Sequence, residues 1–273
     1  MERRGTTKAV ILARGLGTRM RAPDPAAGLD TAASAVADTG LKAMIPVGRP
    51  FLDYVLSALA DAGFTDACLV IGREHDAVRK HYGMDARPSR IRIHFAIQEQ
   101  PLGTADAVLA AELFAANDSF VVINSDNYYP AAALAELHRR REPAMVAFAR
   151  GALTERGNVE PGRVARFGAV EVDEHGMLRS MTGDDAHAAA STGGRVYASM
   201  NCWLFTSEIF AACRAVPVSP RGEKELTQAA QHAIDTLGMR IAVVLSEEPV
   251  LDLSSRLDIP RVAALLAEME PLV

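Results

Sequence analysis

The sequence predicts an α/β fold, a Rossmann-like and mostly parallel mixed sheet with helices on both faces and hairpin strands added in its second half. Three observations carry this. Short apolar runs rich in β-branched residues recur through the first half of the chain. Segments of helical periodicity lie between them, so strand and helix alternate as in βαβ units. After about Met145 the rhythm changes to alternating apolar and polar residues.

The strand candidates are Lys8–Ala13 (KAVILA), Asp66–Gly72 (DACLVIG), Arg92–Gln98 (RIHFAIQ) and Ser119–Asp126 (SFVVINSD), near-continuous apolar runs of the kind buried on both faces. Phe51–Gly63, Thr104–Ala116 and Ala131–Arg141 place apolar residues three and four apart, as amphipathic helices do, and Gly63 falls at a helix C-cap position. In the second half, Phe167–Met181 alternates and turns at Glu174–Gly176, the pattern of a hairpin. Val196–Phe205 reads as a further strand, and Lys224–Gly238 and Arg256–Glu270 as helices, the last interrupted or opened by Pro260. No Gly/Ser- or Pro-rich linker divides the chain, so residues 1–273 read as a single domain with halves of about 1–145 and 146–273. Two segments stand outside the pattern. Ala22–Gly40 is a small-residue insert, and Thr182–Gly194 is low in bulky residues and is expected to be mobile.

Hydrophobic residues make up 49% of the chain, enough for a full core, and 23% are charged. A net charge of −5 argues against a nucleic-acid binder, which would show a basic face. No apolar run approaches the roughly 20 residues of a membrane span, and no leader pattern opens the chain; a cytoplasmic protein is expected. Cys68, Cys202 and Cys213 have no metal-ligand spacing and read as reduced core thiols. The seven histidines show no pair at metal spacing. Trp203, Tyr128 and Tyr129 read as core and cleft wall.

The candidate chemistry begins at AVILARGLGTRMR (Ala9–Arg21), where an apolar strand runs into a Gly-rich loop ending in arginines. Gly15 and Gly17 let the backbone approach a ligand closely, successive N–H groups form an anion nest, and Arg19 can grip phosphate bidentately. The loop is neither a P-loop nor the G-x-G-x-x-G fingerprint; a plain turn with surface arginines is the alternative on this stretch alone. Lys42 would add a second cation near the mouth of the first strand. Gln98 to Ala111 (QEQPLGTADAVLAA) offers a second Gly turn before a helix, with amides able to read a nucleobase edge. Asp126 ends a buried strand, where open α/β sheets bind ligands, and Asp252 follows another apolar run. The two carboxylates together could hold one Mg²⁺ on oxygen ligands.

These segments resemble the sugar-phosphate nucleotidyltransferases, the family that includes glucose-1-phosphate thymidylyltransferase and has a GT-A-like nucleotidyltransferase fold. AVILARGLGTRMR is similar to the family's L-A-x-G-x-G-T-R loop, and LKAMIPVGRPFLDYVL to its P-K-x-x-x-P-V…K-P segment. QPLGTADAV, VVINSDNYY, RFGAVEVD, SPRGEKELTQA and VLDLSSRLDI resemble further blocks in the family's order, over roughly residues 8–267. The resemblance implies nucleotidyl transfer from an NTP to a sugar 1-phosphate, with Mg²⁺ as cofactor and a homo-oligomeric assembly. It implies that Ala13, Gly15, Gly17 and Thr18 cradle the triphosphate, that Arg19 binds the departing pyrophosphate, and that Lys42 steadies the α-phosphate. Gln98, Gly103 and Thr104 would contact the nucleoside, Asp126 and Asp252 would ligate Mg²⁺, and Asn127, Gly168, Asn201 and Glu225 would face the sugar.

The chain departs from the family's pattern in three places. Leu41 stands where a Pro usually precedes the lysine. The insert Ala22–Gly40 is longer than the family's link, and reads as a lid, a contact with another chain or a tolerated surface insertion. The family's Glu-Lys-Pro after the hairpin, whose Lys binds the sugar phosphate, is replaced by LRSMTGDDAH; Arg179 or Arg195 is the candidate substitute cation. A non-sugar phosphoalcohol acceptor and a non-catalytic nucleotide-binding module are the competing functional readings.

Overall fold

The computed structural model of the chain describes residues 5–182 and 184–273. Its strands are β1 (Lys8–Leu12), β2 (Asp66–Ile71), β3 (Arg92–Ile97), β4 (Phe120–Asn124), β5 (Asn127–Tyr128), β6 (Ala144–Ala149), β7 (Ala169–Val172), β8 (Leu178–Thr182), β9 (Tyr197–Phe205), β10 (Ala242–Ser246) and β11 (Leu251–Asp252). Nine of these form one mixed sheet with the main order β10-β6-β9-β4-β1-β2-β3, and the β7–β8 hairpin hangs on β9. β3, β2, β1 and β4 are parallel neighbours, as are β6 and β10. β9 alone runs against both of its main neighbours, β4 and β6. β5 and β11 pair antiparallel in a small separate sheet.

The β1 sequence KAVIL explains why the sheet is covered twice. Ala9 and Ile11 point into a core closed by the helices Phe51–Asp61, Ala131–His138 and Asp258–Leu266. Val10 and Leu12 point into a second core under Thr104–Ala110, Ile209–Ala215 and Leu226–Leu237. Side chains alternate across a strand, so only a run apolar at every position serves both layers. Each fully buried Val, Ile or Leu contributes about 1.5–3 kcal/mol. Trp203 and Tyr129 are fully buried, and Tyr128 partly so. The three cysteines are free and buried, and burial pushes the Cys68 and Cys213 thiols up to about 12.

β1 pairs with β2 on one side and β4 on the other, so the strand order reverses between β1 and β4. That reversal opens a crevice above their carboxyl ends, the expected ligand position in such sheets.

The structure differs from the sequence reading in two segments and gives a third, the insert, its form. β6, AMVAFA, is buried throughout, and together with β10 it restores parallel pairing where only added hairpin strands are expected. Its alanines weaken the β-branched signal. The stretch expected to be mobile contains the helix Asp185–Ser191, whose first amides, Ala186 and His187, donate to the Asp184 carboxylate at 3.1 Å each; Gly183 within it lies outside the described residues. The insert folds into a 3-10 turn (Pro25–Ala27) and a helix (Thr31–Thr39). Arg256, 5% exposed, ties it down by donating to the Met20 carbonyl (2.9 Å), Ser34 Oγ (3.2 Å), the Arg21 carbonyl (3.3 Å) and the Asp38 carboxylate. Among the described residues, no helix is long and apolar enough to cross a membrane.

Candidate active site

A cleft of about 360 Å³ lies at the carboxyl ends of β1 and β4. The chain leaves β1 with the Ala13 amide still donating to Val70 (2.9 Å), then turns into the Gly-rich loop. Ala13, Gly15 and Arg19 line the cleft, and a Cβ at Gly15 would meet nothing within 4 Å. Gly17 turns the other way. With φ at +61°, its missing Cβ would stand 2.4 Å from the Gly40 carbonyl oxygen, so a glycine is required by close packing on the end of the insert. Gly17 and Thr18 do not line the cleft; they begin the short helix Thr18–Arg21, which presents Arg19. No hydrogen bond or ion pair holds the Arg19 guanidinium among the described residues, and its charge faces the cleft free.

The insert returns the chain at Gly40 and delivers Lys42 to the cleft from a 3-10 turn. Lys42 Nζ donates to Asp126 Oδ2 at 2.8 Å, with the side chains 16% and 25% exposed. Asp126 follows β4, and its carbonyl accepts the Leu253 amide at 2.8 Å. Sequence reasoning passed over Arg14, Asn124 and Ser125, which also line the cleft. Arg14 links the loop to the facing wall, donating to Glu74 Oε1 (3.1 Å) and to the Gln98 carbonyl. Its signal was present as the first arginine after the strand.

The opposite wall holds Gln98, Gly103 and Thr104. The Gln98 amide nitrogen donates to the Gly103 carbonyl (3.0 Å) and Asp106 Oδ2 (2.8 Å). Gly103 has φ at +106°, and a Cβ there would lie 2.5 Å from the Lys224 carbonyl oxygen. The Lys224 amide donates to Leu102 (2.7 Å), the Ala105 amide to Lys224 (2.9 Å) and the Leu226 amide to Thr104 Oγ1 (2.8 Å). This zipper carries Glu223 to the cleft. Glu225, two residues on, pairs with Arg221 instead (2.8 Å). Asn201 lines the cleft from β9 with φ at +55°, a left-handed conformation that Asn tolerates better than most side chains, and accepts from Trp203 Nε1 (3.3 Å).

The remaining sequence candidates stand away from the lining. Asn127 is buried and donates to Asp252 Oδ1 at 3.0 Å, and Asp252, 6% exposed, is ion-paired with Arg163 behind it. Asn158 donates to the Asp252 carbonyl (2.7 Å), and Arg163 also reaches Asp258 (3.2 Å). Gly168 lies against Met181. Arg179 pairs with Glu171 (3.4 Å) and Arg195 with Glu247 (2.7 Å). Of the two carboxylates singled out for a metal, Asp126 lines the cleft, and Asp252, paired on β11 with Asn127 of β5, meets Arg163. Among the described residues, no three His, Cys, Asp or Glu converge to hold a metal. Mg²⁺ is commonly held by one or two carboxylates plus substrate phosphates, and Asp126 alone fits that donor set.

Residues 8–252 match the family described as Nucleotidyl transferase. The chain is 31% identical over 229 residues to a glucose-1-phosphate thymidylyltransferase of Streptomyces antibioticus, covering 84% of this chain and 57% of that protein. It is 27% identical over 224 residues to a UTP–glucose-1-phosphate uridylyltransferase of Haloferax volcanii, covering 81% of each. The chain thus spans somewhat more than half the length of the Streptomyces relative. A UDP-glucose pyrophosphorylase solved with UDP-glucose superposes with a TM-score of 0.72 at 17% identity, covering 97% of this chain and 100% of that one. At that identity the likeness is one of fold.

Proposed function

This chain belongs to the nucleotidyl transferase family, and from that premise we propose that it transfers a nucleoside monophosphate from an NTP to a sugar 1-phosphate, releasing pyrophosphate and giving an NDP-sugar. The observation that carries this reading is the grouping of Arg14, Arg19 and Lys42 on one cleft beside open loop backbone and the Asp126 carboxylate. Three cations in a protein of net charge −5 are a local site for a polyanion.

In the proposed reaction, an acceptor phosphate oxygen attacks the α-phosphorus in line, the bond from that phosphorus to the α–β bridging oxygen breaks, and pyrophosphate carries the electron pair away. Positioning and charge stabilisation suffice, and no covalent nucleophile is needed. Lys42 neutralises charge growing on the α-phosphate, and Arg19 neutralises the leaving group. Asp126 holds the Lys42 ammonium in place and is the carboxylate that would hold Mg²⁺, which when bound neutralises phosphate oxygens. Asn201 and Glu223 supply acceptor and donor groups for sugar hydroxyls. The acceptor phosphate is met by the same cations, since Arg179 and Arg195 are held elsewhere. We also place the protein in the cytoplasm, a reading supported by three buried free thiols, and expect a homo-oligomer, which sedimentation would reveal.

Pyrophosphate release with Mg²⁺, measured for UTP, dTTP, GTP, ATP and CTP against a panel of sugar 1-phosphates, tests the reading. Release with at least one pair supports it. Silence with every pair, while an NTP still raises the melting temperature, would overturn the sugar acceptor; silence in both measurements would overturn the nucleotide site.

A further inference from the structure

Gln98 faces the cleft on the wall formed by Gly103 and Thr104, and the orientation of its side-chain amide decides whether it offers a donor or an acceptor. Its residue is 3% exposed, so the amide is held by its surroundings rather than by water. Both of those surroundings are acceptors: the Gly103 carbonyl at 3.0 Å and Asp106 Oδ2 at 2.8 Å. They take the two N–H bonds of Nε2. The reversed amide would set Oε1 against a carbonyl and a carboxylate and forfeit two hydrogen bonds, one of them charge-assisted. Among the described residues no hydrogen bond engages Oε1, which is left as the free end.

We propose that Asp106, which does not itself line the cleft, is a positioning residue that locks Gln98 as a hydrogen-bond acceptor. The pocket therefore takes nucleobases carrying a ring N–H (uracil, thymine or guanine) in preference to cytosine and adenine. The last two present a ring nitrogen acceptor at the equivalent place, which would oppose Oε1 with no proton between them. This rests on the nucleotide reading of the cleft.

The test is titration calorimetry of the five triphosphates into the wild type, D106A and D106N, with melting temperatures recorded. In the wild type, the best of UTP, dTTP and GTP binds at least about tenfold more tightly than ATP and CTP. In D106A that ratio falls by about tenfold, because one of the two acceptors that orient the amide is gone. D106N keeps most of the ratio, since its amide oxygen still accepts from Nε2. ATP or CTP binding the wild type as tightly as the best ring N–H base would overturn the proposal, and so would D106A weakening all five alike or failing to bind any of them while wild type and D106N bind. Should D106A not fold, the wild-type ranking and its retention in D106N decide the matter. The wild-type preference without pyrophosphate release would sink the transfer reaction and leave the lock standing. Absence of all triphosphate binding would overturn both.

Discussion

The two halves of the chain face one another across the cleft with different chemistry. Residues before 146 supply all the cations on its lining among the described residues, Arg14, Arg19 and Lys42, and residues after it supply Asn201 and Glu223. The second half is not short of arginines, but Arg163, Arg179 and Arg195 are each paired with a carboxylate of their own half. Arg14 and Lys42 are themselves paired, with Glu74 and Asp126, so what separates the halves is that the first sets its cations on the cleft lining and the second sets its arginines elsewhere. Of the three cations on the lining, Arg19 alone has no carboxylate partner among the described residues, whereas Arg195 is paired with Glu247.

Breaking the charged half should have the largest effect. Lys42→Met is expected to lower kcat/KM by about a thousandfold in steady-state assays, the scale of removing a charge aimed at the reacting group, with a melting curve confirming that the fold survives. Arg256→Met comes next, because it tests whether the second half anchors the loop of the first. Losing its bonds to Met20, Arg21, Ser34 and Asp38 should cost about 2–3 kcal/mol. Calorimetry should show this as a lower Tm, and the loosened loop as a raised KM for the NTP with a smaller change in kcat.

Acid should soften the first half before the second. Burial, the main cause, holds the His75 imidazole below its usual 6.5, next to Glu74 and Arg14. The fold thus prefers the neutral ring, so its contribution to stability is present above about pH 6.5 and is lost as pH falls through the lowered value. Melting temperatures of the wild type should drop over that window, and those of His75→Asn should drop less. The smallest effect belongs to Arg195→Ala, expected to leave the KM for a sugar 1-phosphate within about twofold, as removal of an exposed ion pair does. A large rise in that KM would mean that the second half lends a cation after all, and would break the comparison.

Much of this was legible in the sequence, for physical reasons that differ by element. β1, β2 and β4 announce themselves because burial on both faces forces unbroken apolar runs. Gln98 and Asp126, just past the ends of β3 and β4, and Arg19, in the arginine-bearing Gly-rich loop, stand out by residue type and place, and with Lys42 they line the cleft. Asp252 shows where reading by residue type stops. Its partner Arg163 lies 89 positions away, and only the fold brings the two together. Glu223 was missed and Glu225 chosen because the zipper to Leu102–Thr104, which sets which of them faces inward, is made by backbone groups that no side chain advertises. The small residues of the insert advertise no anchor, and its tie comes from Arg256, more than two hundred residues downstream.

That zipper has a consequence in hydrogen-exchange terms. The amides of Lys224, Ala105 and Leu226 are all committed between the Leu102–Ala105 turn and the Lys224–Leu226 segment, so they should exchange together and slowly, as one cooperative unit. The opposite rim, where Gly15 and Leu16 are exposed, has no such stitching and should exchange fast in the free protein. A bound triphosphate should therefore register as new protection at the loop, while the far wall, already protected, changes little.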